Sequence, residues 1–275
     1  MRTMLVMLGG LVLVACDGET GGQPADAGEG DGGGADAGGD GGACTLPEPP
    51  ATCDPAVMTD PNPSCLVEQP GADGCLLGMV RIEGFCIDQF EASIVGHSPY
   101  FSPGANPGPA ASKRDAVPQA YITGIQAAAS CAAAGKRLCT DTEWLRACRG
   151  ATGTVYPYGD TRMPGVCNDA RAQHPAVEYF GTTDPVIYSM LGHPCLDQLP
   201  DSLDRAGANP GCVTADGVFD MMGNLHEWTA DPAGTFRGGY YVDTKLNGNG
   251  CLYATTAHAT GHSDYSTGFR CCATP

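Results

Sequence analysis

The chain has 275 residues, 42% of them hydrophobic, and its 31 acidic against 14 basic side chains give a net charge of −17. That balance argues against nucleic-acid binding, whose affinity comes largely from neutralising phosphates, and suits an exported soluble protein or one that binds cations. Fifteen cysteines without a single CxxC pair argue against finger-type zinc sites and read as disulfides formed outside a reducing compartment.

Met1-Arg2 gives a short positive start, and Met4 to Val14 is an almost unbroken apolar run. It is too short for a bilayer core that needs about twenty apolar residues, so it reads as a secretory signal rather than a membrane span. Its end, Leu13-Val14-Ala15-Cys16, resembles the bacterial lipobox. The resemblance implies a signal peptide over 1–15 and a lipidated Cys16. An ordinary signal peptide that happens to carry a cysteine is the alternative. The expected location is the bacterial cell envelope, at the outer membrane or cell surface, with the membrane reached through the acyl chains on Cys16. Residues 16–43 then form a tether. Asp17 to Ala43 is mostly Gly, Ala and Asp, and its seven acids have no counter-charge, a composition that cannot bury enough apolar surface to order itself. Beyond it stand 24 acids and 13 bases, still a net charge of −11.

Residues 44–78 hold Cys44, Cys53, Cys65 and Cys75 among prolines and little periodicity, and read as an irregular, stapled lead-in. The main domain, 79–275, is long enough for one sizeable core. It opens with Met79-Val80-Arg81-Ile82, a Glu83-Gly84 turn and Phe85 to Glu91, alternation that predicts a β-hairpin. Thr123 caps a helix through Ile125 to Ala134, which Gly135 ends. Thr140-Asp141-Thr142-Glu143 is a capping box for a second helix through Cys148 that stops near Gly150. From there the chain is turn-rich. Two helices followed by a long, weakly β half predict an α+β domain with much of its surface in loops.

These residues resemble a family. Ala134-Gly135-Lys136-Arg137-Leu138-Cys139-Thr140-Asp141-Thr142-Glu143-Trp144 is similar to the AGKRLPTEAEW signature of formylglycine-generating enzymes, also called sulfatase-modifying factors. Tyr156-Pro157-Tyr158-Gly159-Asp160 resembles YPWGD, and Cys167-Asn168 stands at the family's small-residue-Asn pair. Gly217 to Thr229 is similar to GLYDMAGNVWEWT, while Arg237-Gly238-Gly239 and Gly268-Phe269-Arg270 resemble the RGGS and GFR ends. Six blocks in the family's order make the resemblance specific. It implies a disulfide-rich fold related to C-type lectins, with a small twisted antiparallel sheet, two helices and many long loops.

Activity does not follow from fold. Family enzymes oxidise a sulfatase cysteine with oxygen and copper(I), which two soft thiolates hold just after RGGS. The resemblance places those thiolates at 243 and 248, where this chain has Asp243 and Gly248. Copper is therefore not expected, and no catalytic residue is assigned. Cys251 could replace a thiolate only after a loop shift. The family's structural disulfides imply instead Cys131 with Cys271 and Cys148 with Cys251; pairing of the other ten cysteines stays open. Structural calcium, a hard ion that takes many oxygen ligands, is the cofactor the resemblance implies. One site would use Asp220 with backbone oxygens of Met221, Gly223 and Leu225, and a second would involve Asn168. The plain alternative has Asp220 capping a turn and Asn224 filling a left-handed position.

Other chemistry is weaker. His226-Glu227-Trp228-Thr229-Ala230 lacks the second histidine of HExxH. His258 and His262 lie in a glycine-threonine loop and read as solvated, and Trp144, Trp228 and Phe269 read as core. Arg237 to Val242 reads as a strand, and Asn247 to Gly250 as a tight turn. Three function classes remain: a non-catalytic surface module binding a protein or polysaccharide, with exposed Tyr240, Tyr241 and Tyr253; a formylglycine-generating oxidase or related oxygen-dependent modifier; and a structural envelope protein. The missing thiol pair favours the first.

Overall fold

The computed structural model describes residues 44–57 and 59–275. The expected signal peptide, the expected lipidation site Cys16 and the expected tether lie outside the described residues. No helix among those described is long and apolar enough to cross a membrane.

Strands β1 (Met79–Ile82) and β2 (Phe85–Asp88) form the expected hairpin, with Ile82 opposite Phe85 and Glu83 at φ 51° turning the chain. Strands β3 (Ala92–Ile94) and β4 (Ala110–Ser112) pair as a separate ribbon. Helix α1 (Gly124–Ala133) starts at a complete Thr123–Gln126 capping box. After β5 (Arg137–Leu138) comes α2 (Asp141–Arg149). Here Thr140 Oγ1 accepts the Glu143 amide at 3.2 Å and the Glu143 carboxylate accepts the Thr140 amide at 2.9 Å. Acids in the first turn and Arg146 and Arg149 in the last complement the helix dipole.

The rest of the chain is mostly loop, as its turn-rich composition predicts. It carries the short helix α3 (Pro175–Phe180), 3₁₀ turns at Pro185–Ser189, Pro194–Gln198 and Gly250–Leu252, and strands β6 (His226–Trp228), β7 (Phe236–Arg237), β8 (Ala254–Thr255), β9 (Thr267–Phe269) and β10 (Cys271–Ala273). One four-stranded sheet has the order β1-β2-β10-β5 and the other β8-β7-β6-β9. The second sheet departs from the expected antiparallel pattern, because β6 and β9 run parallel. Nearly forty residues separate them, so the chain returns by a long connection rather than a hairpin. The strand expected over 237–242 ends at Arg237, since Gly238 and Gly239 turn away with φ 83° and 71°.

The core has two main centres. Trp144 packs with Ile82, Phe85, Ile87, Val218 and Met221, together with the sulfurs of Cys139, Cys148, Cys251 and Cys272. Trp228 packs with Phe236, Phe269, Ile122 and Leu138, and its indole N–H donates to the Ile122 carbonyl at 2.9 Å.

All fourteen described cysteines are paired. Cys131–Cys271 and Cys148–Cys251 are bonded, and the other five bonds are Cys44–Cys65, Cys53–Cys195, Cys75–Cys86, Cys139–Cys272 and Cys167–Cys212. Two of these fasten the lead-in to the domain, and one buried cation does the same. Lys136 Nζ lies 2.8 Å from the Asp88 carboxylate and 3.2 Å from that of Glu68, which also accepts the Ser112 amide.

Candidate functional site

The centre of the domain is a buried ion pair. Arg270, at the end of β9, is fully buried and grips Glu227 of β6 through two bonds of 2.6 and 2.7 Å. Its remaining N–H groups reach the carbonyls of Asp88 and Phe219, and the Trp144 indole donates to the same Glu227 carboxylate at 2.7 Å. Sequence analysis found the GFR block but not this role. The available signal was a charged side chain between apolar neighbours, which is buried only with a partner.

The loop before β6 carries the expected calcium residues. Asp220 and Asn224 have left-handed backbones with φ 57° and 56°. Gly223 is required, because at φ 79° a Cβ there would stand 2.1 Å from the Asn168 carbonyl oxygen. Asp220 accepts the Gly207 amide at 2.6 Å. Glu91, not anticipated, accepts from Asn224 Nδ2 at 2.5 Å and from the Leu225 amide at 3.2 Å. Asn168 comes from a separate loop packed against this one. Its side-chain amide meets Asn224 Oδ1 at 3.0 Å and its carbonyl accepts the Asn224 amide, so Asp220, Met221, Gly223, Leu225 and Asn168 belong to one neighbourhood. Burial and the neighbouring carboxylates push Glu91 well above the usual range, and burial pushes Asp220 up to about 7. Among the described residues, no three His, Cys, Asp or Glu side chains converge as metal ligands.

The expected thiol positions have other work. The Asp243 carboxylate caps a turn, accepting the amides of Lys245 at 2.9 Å and Leu246 at 3.1 Å, while Tyr240 and Asp243 exchange backbone bonds. Gly248 has φ 116°, and a Cβ there would lie 2.5 Å from the Leu252 carbonyl oxygen. A cysteine cannot occupy that position without moving the loop. Cys251, the nearest sulfur, is fully buried in its bond to Cys148.

Around this loop lies a histidine–tyrosine assembly. His226 is packed against the rings of Phe236, Tyr240 and Tyr253 at 4.8, 4.9 and 5.3 Å, and burial pushes it down to about 4. Tyr265 Oη is 2.8 Å from His174 Nε2 and 3.3 Å from Tyr240 Oη. One expectation fails here. Tyr241 and Tyr253 are buried and Tyr240 is half-buried, because each closes the loop against the core; among the rings beside this loop Tyr188 is exposed. His258 is exposed and His262 half-buried, as solvated histidines would be; the two rings stack at 3.8 Å, and His262 bonds Asp264 at 3.0 Å.

Tyr241 Oη donates to Asp197 at 2.9 Å, and burial pushes that carboxyl well above its ordinary range. Its contribution to stability is therefore full below its unfolded value and lost as pH rises through the folded value. Asp197→Asn should melt near wild type around pH 4 and increasingly above it toward pH 8. A melting-temperature difference that does not change with pH would contradict this.

The fold and site define a disulfide-stapled α+β domain of the formylglycine-generating-enzyme type, with other residues at the thiol positions. The chain belongs to the sulfatase-modifying factor enzyme 1-like domain family, whose model matches residues 79–274. Two curated relatives are each named "Inactive C-alpha-formylglycine-generating enzyme 2". The Mus musculus protein is 30% identical over 183 residues, covering 61% of this chain and 52% of the relative. The Bos taurus protein is 28% identical, covering 61% and 54%. The chain thus spans about half the length of the curated relatives it matches. Among solved structures, PvdO from Pseudomonas aeruginosa is similar at a TM-score of 0.46 and 15% identity, over 70% of this chain and 80% of that one.

Proposed function

We propose that this chain is an exported, lipid-anchored module that binds a protein or glycan ligand and does not generate formylglycine. One observation carries the reading. The two thiolate positions are filled by a turn-capping Asp243 and by Gly248, where a side chain does not fit, and every described cysteine is in a disulfide. Copper(I) needs soft donors, and these residues do not supply them. That both curated relatives are called inactive supports the same conclusion. The purified, oxidised protein should neither take up one equivalent of copper(I) nor convert a sulfatase cysteine peptide to formylglycine; stoichiometric uptake would sink the reading. The anchor is tested in cells, where Cys16→Ser should shift the chain from the membrane to the soluble fraction. An unchanged membrane fraction would remove the lipid anchor from the proposal.

We also propose that a structural calcium ion sits at the Asp220 loop. Glu91, Asp220 and Glu227 bring three buried carboxylates to one guanidinium, Arg270, and oxygen donors suit calcium. Asp220 and the backbone of Met221, Gly223 and Leu225 would hold the ion, with Asn168 bracing the loop. Its contribution would be structural, offsetting charge. Calcium should raise the melting temperature of chelator-treated protein by several degrees, consistent with about 1–3 kcal/mol of linkage, and Asp220→Asn should abolish the response. Identical melting in calcium and in chelator would rule the ion out.

A further inference from the structure

We infer that Lys136 and Asp88 condense into an intramolecular amide cross-link, with Glu68 carrying the proton. The assignment is independent of any ligand of the domain. The chain has three lysines, Lys113, Lys136 and Lys245. Of these only Lys136 is buried, its side chain 3% exposed, and it faces two carboxylates.

The backbone brings the three groups together. Asp88 ends β2, Lys136 precedes β5, and β10 lies between those strands. Lys136 Nζ is 2.8 Å from Asp88 Oδ1, and Asp88 Oδ2 accepts the Cys271 amide of β10 at 2.8 Å. Glu68 Oε1 lies 3.2 Å from the same Nζ and is fixed by the Ser112 amide at 2.8 Å. Gly78 makes room for that carboxylate: at φ 72°, a Cβ there would stand 2.6 Å from Glu68 Oε1. An arginine could also pair with these acids, but only lysine readily gives up its proton to become a nucleophile.

Both charges are costly in this place. Burial pushes the Asp88 carboxyl up, against the opposing pull of Lys136. Burial works to lower the Lys136 ammonium, while Asp88 and Glu68 hold it above its ordinary value. The reactant is thus an ion pair out of water, a kind that repays its desolvation poorly. An amide removes both charges and leaves partners for what remains, the Cys271 N–H for its oxygen and Glu68 for its N–H.

The step balances within these groups. One proton crosses from Nζ to Asp88 Oδ1, giving an amine beside a carboxylic acid. Nζ then bonds to the Asp88 carboxyl carbon, and the charge that develops on Oδ2 is met by the Cys271 N–H. Glu68 takes a second proton from Nζ and passes it to Oδ1. The bond from the carboxyl carbon to Oδ1 breaks with its electron pair, and one water leaves. No oxidant or cofactor enters. Fixed contact between nitrogen and carboxyl supplies the proximity such a condensation needs, and excluding water opposes the reverse hydrolysis.

The test is a tryptic mass map of the purified full chain after reduction and alkylation. Cleavage after Lys136 should be lost, and the peptides holding Lys136 and Asp88 should appear joined, lighter by one water than their sum. Lys136→Arg, which keeps the ion pair but cannot form the amide, should give the two peptides separately at full mass. Glu68→Gln keeps an acceptor but takes no proton, so most of that variant should stay unlinked, since such a transfer contributes about a hundredfold or more in rate. Separate full-mass peptides in the wild type would overturn the cross-link, and that map decides the matter even where a variant fails to fold. A lost water that persists in Lys136→Arg, or that maps to an Asp-Gly pair such as Asp73-Gly74, would overturn it as well. Linkage of Glu68→Gln to the wild-type extent would overturn the proton-transfer step.

Discussion

Arg270→Met is expected to destabilise the domain by about 3–5 kcal/mol, the loss seen when one member of a buried ion pair is removed. The substitution leaves Glu227 buried with only the Trp144 indole and removes the one guanidinium that faces Glu91 and Asp220. It also strips donors from the Asp88 and Phe219 carbonyls. Against a net stability of about 5–15 kcal/mol for an ordinary domain, this is a large fraction. The diagnostic comparison is with Arg270→Met/Glu227→Leu, in which no charge is stranded at either end of the pair. Urea unfolding should place the double variant above the single one. If Arg270→Met costs less than about 1 kcal/mol, the pair is not the centre of the fold.

Replacing both Cys148 and Cys251 with serine should cost about 2–5 kcal/mol, since the bond closes a loop of more than a hundred residues and its loss frees the unfolded chain. Both sulfurs are fully buried beside Trp144 and Met221, so packing is lost as well. The complementary experiment installs Asp243→Cys and Gly248→Cys in the otherwise native chain. Because residue 248 has a left-handed backbone and no room for Cβ, the protein should fold less well and gain no stoichiometric copper(I) site. Thermal melts and copper titration read both effects. A stable, copper-binding double variant would show that the loop is permissive after all.

What could be read in advance follows from where the physics is local. The hairpin and the capping boxes at Thr123 and Thr140 depend on residues within three or four positions; β1 and both helices stand within a residue or so of expectation, and β2 ends three residues early, at Asp88. The parallel β6–β9 pair and the short β7 depend on distant partners and were misread; β6 and β9 are buried on both faces and show no alternation. The thiol positions were legible by resemblance, but that Gly248 excludes a side chain is visible only in φ and in Leu252. Glu91 was hidden for the same reason, since its partners Asn224 and Leu225 lie more than 130 residues away. The adjacent pair Cys271-Cys272 was ambiguous because neighbouring strand residues face opposite sides; one meets Cys131 on α1, and the other meets Cys139 ahead of α2.

Strand β10 is both the last element of the chain and an inner strand of its sheet, held between β2 and β5. A polypeptide is made from its N-terminus, so that sheet stays open until residues 271–273 are added. Sulfurs at 131 and 139 wait for partners more than 130 positions downstream. Early-made cysteines are therefore at risk of joining each other wrongly wherever bonds form before β10 arrives. Loss of β10 alone would leave two orphan thiols and an incomplete sheet.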